Sequence, residues 1–139
     1  MASATPESRP MPPGAAGKLA NVALWLQKSA ADFQDVNNVK ICKNTKGLVD
    51  TTTELLKHFA VSIKSTPSQH RVTAIHFDKP AAIPIEKGWT IDVIPVHLVG
   101  EDVEIGGYPV DLENYFHLEG ETKVSGDFFA VLLLSHVDV

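Results

Sequence analysis

Apolar positions along the chain keep a helical period in its first half and a strand period in its second. From Lys18 to about Gln34, Leu19, Val22, Ala23, Leu26, Ala30 and Phe33 recur at i, i+3, i+4 and i+7 spacing, which predicts one amphipathic helix. Leu24 and Trp25 widen that stripe beyond what one sheet face needs, which reads either as a deeply seated core helix or as a second contact with a dimer partner, a ligand or a groove. Asp35 to Lys46 is polar except for alternating Val39 and Ile41, and reads as a short strand or an extended loop. Thr51 and Glu54 match a capping box, in which hydroxyl and carboxylate each satisfy a backbone N–H. Leu55, Leu56, Phe59 and Ile63 follow at helical spacing, which predicts a second helix from Thr51 to about Lys64, ended by Pro67.

Past residue 70 the period becomes two. Strands are expected over Val72–Phe77, Trp89–Val99 and Val103–Ile105, with a proline-studded connector over Lys79–Lys87. Pro95 cannot donate to a ladder and so marks a bulge or an edge. Asn114–Val124 and Asp127–Val137 read as a hairpin turning at Ser125-Gly126, which would set Leu118 opposite Leu133 and Phe116 opposite Ser135. Within its second arm, Phe128 to Leu134 is an unbroken apolar run. Such a run is far shorter than the roughly 20 residues a membrane helix needs and has the length of a strand covered on both faces.

Helices ahead of strands predict an α+β fold, with two N-terminal helices on one face of a twisted, mostly antiparallel sheet of four or five strands and the C-terminal strand central. Residues 1–17, rich in proline and nearly devoid of large apolar side chains, are expected to be a disordered arm ahead of a single domain over 18–139. No signal-peptide core follows Met1, and the single cysteine, Cys42, excludes an internal disulfide, so a cytoplasmic protein is expected.

Charge narrows the partners. Twelve Lys and Arg against seventeen Asp and Glu, a net charge of −5, offer no field for a phosphate backbone or an anionic membrane. Nucleic acid is therefore not an expected partner. A cluster of Lys40, Lys43 and Lys46 lacks the glycine-rich loop of a nucleotide site.

Histidines are the main candidates for chemistry. His76-Phe77-Asp78, His117-Leu118-Glu119 and His136-Val137-Asp138 repeat one pattern, and strand residues two apart share a face. Their separation of about 6.6 Å along one strand is too long for a direct hydrogen bond, so a working pair must recruit a neighbouring strand. His117 and His136 share a face of the expected hairpin, and with Glu119, His76 and Asp78 they are the candidate catalytic set. A metal centre of His76, His97, His117 and His136 would have suitable ligands but lacks a compact signature such as H-E-x-x-H, and neither metal nor cofactor is expected. Ser135 and His136 are adjacent and face opposite ways, which rules out a relay between them.

Two functions follow from these features. The first is a non-enzymatic binding or self-associating protein that works through protein–protein contacts at Leu24, Trp25 and the turn residue Tyr108, with itself or another protein as partner. The second is a small cofactor-independent enzyme, of lyase, isomerase or cyclase type, using a histidine–carboxylate pair on the sheet. A concave cavity into which an imidazole and a carboxylate converge distinguishes the second.

Overall fold

The computed structural model describes residues 6–11, 14–28, 32–36, 39–60 and 70–136. Its frame is strand β11 (Phe128–His136), whose apolar run places alternate side chains on opposite faces. Phe129, Val131 and Leu133 enter a core shared with the two helices, while Phe128, Ala130 and Leu132 enter a second core on the other side. Neither face is left to water, which explains why the run has no polar alternation.

Beside β11 lie β4 (His70–Phe77) and β6 (Trp89–Leu98), both antiparallel to it. The sheet extends through β3 (Val39–Cys42) and β2 (Phe33–Val36) on the β4 side, and through β9 (Asn114–Leu118) and β1 (Glu7–Pro10) on the β6 side. All seven strands are antiparallel to their neighbours. A second sheet takes the order β5 (Ala81–Ile83), β10 (Thr122–Ser125), β7 (Glu104–Ile105), β8 (Tyr108–Pro109). Ile83, Val103, Ile105 and Val124 from this region pack onto the Phe128 side of the large sheet. The result is three layers: helices, a seven-stranded sheet and a four-stranded sheet.

Helix α1 (Ala16–Leu26) buries Leu19, Val22, Ala23 and Leu26 against the large sheet, the stripe its spacing announces. Helix α2 (Thr45–Ala60) buries Leu48 and Leu55 in the same core. Asn44 caps it, its Oδ1 accepting the Gly47 N–H at 3.0 Å. A side chain at position 47 would collide with Trp25, since an added Cβ would stand 2.6 Å from its Cζ2. Glycine there lets the two helices approach.

The architecture corrects the expected one. Two helices do lie on one sheet face, but the sheet has seven strands instead of four or five, and a four-stranded sheet covers its other face. The expected hairpin between residues 114–124 and 127–137 does not form. The chain breaks at Glu119–Glu121, crosses into the small sheet as β10, and returns through Gly126 at φ +98°. β6 then lies between β9 and β11, so Leu118 faces Ile91 and Leu133 faces Asp92 and Val72. Part of the expected connector over residues 79–87 forms β5, and Glu7–Pro10 of the expected arm forms β1. The first helix ends at Leu26, with Phe33 already in β2. The second begins six residues before Thr51, because Asn44 is the cap, and Thr52 lies inside it with its hydroxyl donating to the Leu48 carbonyl at 2.7 Å. Ala30, Ile63 and Val137 lie outside the described residues.

Pro95 adjoins a bulge. Phe129 pairs with His97 and Ala130 with Pro95, so Val96 is the extra residue on β6. The bulge brings His97 onto the helix-facing side beside Phe129, with ring centroids 6.1 Å apart.

Leu133, 5 % exposed in the central strand, should lose about 2–5 kcal/mol of stability on truncation to Ala. Denaturant unfolding of the variant measures this, and a loss below about 1 kcal/mol is incompatible with a packed central position.

Candidate functional site

Two histidine–aspartate pairs stand on the helix-facing side of the large sheet. In the first, His117 of β9 and Asp92 of β6 are cross-strand partners, and Nδ1 of the imidazole lies 2.7 Å from the Asp92 Oδ1. An ionised carboxylate only accepts, so the ring nitrogen donates. Asp92 sits among Ile91, Val93 and Ile94, its side chain 5 % exposed, and His117 is the partner that makes its burial tolerable. The hydrogen bond to Asp92 raises the His117 pKa above the usual histidine value; partial burial and the Arg9 charge oppose the rise. Glu7, opposite His117 on β1, pairs with Arg9, which also hydrogen-bonds Tyr115.

The second pair ties His76 of β4 to Asp127, in the turn before β11, at 2.7 Å from Nε2 to Oδ1. The imidazole is stacked on Phe129, with centroids 4.0 Å apart and planes 10° from parallel, and Phe33 meets both rings edge-on. The main-chain oxygen of Asp127 accepts the N–H groups of Val99 and Gly100, each at 2.9 Å. One residue therefore joins β4, the end of β6 and the entrance of β11.

Other candidates are dispersed. Asp78, expected beside His76, pairs with Lys40 at 3.1 Å, and that hydrogen bond lowers its pKa. Glu119 is exposed at the end of β9 and adds to the field on His117. His136 pairs through its backbone with Trp89, and its side chain lies outside the described residues; β6 separates its strand from that of His117. Among the described residues no cluster of three His, Cys, Asp or Glu side chains could hold a metal. Cys42 is buried, and burial pushes its thiol pKa up, away from nucleophilic use. Of the expected binding residues, Leu24 is 58 % and Tyr108 47 % exposed, whereas Trp25 is half-buried against the helix core. Tyr108 follows the Gly106-Gly107 turn, where both glycines take positive φ as a tight two-residue hairpin loop requires.

Asp92 and Asp127 complete the two pairs and were missed in the reading of the sequence. A single carboxylate within Ile91–Ile94 is a sequence signal for Asp92, because a buried charge demands a partner. Asp127 carries no such signal in its turn. No described helix is long and apolar enough to cross a membrane. Comparisons with family models, curated proteins and solved structures return no match for this chain.

Because the folded-state pKa of His117 is raised, its pair stabilises the fold most below the unfolded histidine pKa, and that contribution is lost as pH rises through the folded value. His117→Asn should therefore lose more stability at pH about 5 than at about 8, relative to wild type, in denaturant unfolding. In parallel, Asp92→Asn should lower the His117 titration midpoint followed by NMR.

Proposed function

We propose that this is a non-enzymatic protein that works through contacts with other protein chains, a second copy of itself being the first partner to test. The observation that carries this reading is the use of the histidines: each described pair ties one strand segment to another. Three surface clefts of about 440, 250 and 260 Å³ take no lining residue from either pair. An enzyme of the expected type would aim its imidazole and carboxylate into such a cleft.

The helix layer supplies the contact surface. Leu24 of α1 is 58 % exposed and Val49 of α2 is 49 % exposed, large apolar side chains on helices that also bury Leu19 and Leu26 and, on α2, Leu48 and Leu55 in the core. Strand edges are poorer candidates. β1 carries Glu7, Arg9 and Pro10, and β5 is bracketed by Pro80 and Pro84, the residues that discourage further pairing. A second reading, the cofactor-independent lyase, isomerase or cyclase, is favoured by His117 alone. Asp92 orients its ring while the residue stays 17 % exposed, as a general base requires.

Sedimentation velocity over roughly 1–100 µM, a range that brackets micromolar dissociation constants, tests the first reading. The wild-type chain should form a concentration-dependent dimer, and Leu24→Glu together with Val49→Glu should sediment as a monomer with an unchanged circular dichroism spectrum. His117→Ala should dimerise as wild type does. A wild-type monomer throughout would overturn self-association.

A further inference from the structure

The large sheet outreaches the small one at the end where β6 begins. Arg71 pairs with Leu134, and Leu134 with Ile91, so these three side chains form a row across β4, β11 and β6 on the face turned toward the small sheet. Leu132, one step further in on that face, is 2 % exposed, yet Leu134 is only half-buried. In place of a strand, the link after β5 passes over the row with Pro84 and Ile85. A cleft of about 250 Å³ remains between them.

Its rim carries a cation. Trp89, two residues before Ile91 and on the same face, lies beneath Arg71, whose guanidinium carbon is 5.6 Å from the ring centroid. A cation–π contact holds the guanidinium near the ring by its charge, and a planar five-donor fork is the side-chain group best matched to a carboxylate. Among the described residues Arg71 has no carboxylate partner. Glu86 stands at the same rim, exposed on the turn in which its main-chain oxygen accepts the Trp89 N–H, and it is not paired with Arg71.

We propose that this cleft binds a small carboxylate carried on an apolar body, the body against Ile85, Ile91 and Leu134 and the carboxylate on the Arg71 fork. A mostly apolar lining with a few polar groups is the usual make-up of a small-ligand site. Here the polar groups are Arg71 and Glu86, and a volume of about 250 Å³, below the usual range, limits the ligand to a compact aryl or branched-alkyl acid. The site is independent of the helix surface assigned above to protein contacts, because it lies on the opposite side of the large sheet.

The probe is 3-phenylpropionate, of about eleven non-hydrogen atoms, for which millimolar or tighter binding is expected. Titration calorimetry on the full chain should show saturable binding, accompanied by a change in Trp89 fluorescence. The neutral amide of the same acid should bind at least about tenfold more weakly, a difference of about 1.4 kcal/mol. Arg71→Gln, at an exposed position, should bind acid and amide alike while keeping the wild-type unfolding midpoint. Trp89→Phe should abolish the fluorescence change, since the remaining Trp25 lies in the helix layer. Three results would overturn the assignment: no saturation by about 20 mM, equal binding of acid and amide by the wild-type chain, or preference for 3-phenylpropylamine, which would assign the rim to Glu86.

Discussion

Burial of one strand on both faces is the constraint from which the other layers follow. β11 offers Phe129, Val131 and Leu133 to one side and Phe128, Ala130 and Leu132 to the other, and no single cover can dry both. Two helices satisfy the first side and a small sheet the second. Its neighbours inherit the requirement. β6 places Ile94 and Val96 with the helices and Ile91 and Val93 with the small sheet, and β4 divides Ala74 from Ile75 and Phe77 in the same way. Antiparallel sheets more often leave one face wet, and such a sheet would alternate apolar and polar side chains where this one does not.

Inside so apolar a frame, charge survives only where geometry supplies a counterpart. Asp92 is tolerated because His117 lies directly across the ladder, at a position where side chains approach closely. His76 has an aromatic platform on one side and a carboxylate at its edge, so its ring is fixed by two kinds of contact. Both pairs join segments far apart along the chain, which makes them ties of the fold in addition to anything they do at the surface. The cleft near Trp89 differs in kind, since its cation lies over an aromatic ring and has no carboxylate partner among the described residues.

The presence of two helices and the double burial of residues 128–134 were legible from period alone, because a buried stripe and an unbroken apolar run leave local signatures. The helix ends were not: Phe33, counted in the first stripe, belongs to β2, and the second helix starts at Thr45. Nor was sheet membership legible. Residues 114–118 and 122–125 share one alternating pattern, yet they belong to different sheets, and only the break at Glu119–Glu121 marks the crossing. Alternation states which face a side chain takes and is silent about which strand sits alongside. For the same reason the histidines were recognisable as candidates while their partners were not. Asp92 is 25 positions from His117 and Asp127 is 51 from His76, distances bridged only by register. The cap at Asn44 was obscured by a second, better-known pattern at Thr51 and Glu54 that the helix does not use for its start.

The place of β11 between β4 and β6 also governs the order of events in folding. Both neighbours precede it in the chain, by more than fifty and about forty residues respectively, and neither pairs with the other. During synthesis they must wait as separate two-sided apolar ribbons until residues 128–136 emerge to join them. Dominance of such distant pairings slows the search for the native arrangement, because the entropy of closing long loops is lost before the contacts repay it. The central strand of the large sheet is thus added after both strands that it joins, and the interval before its arrival leaves their apolar faces open to aggregation.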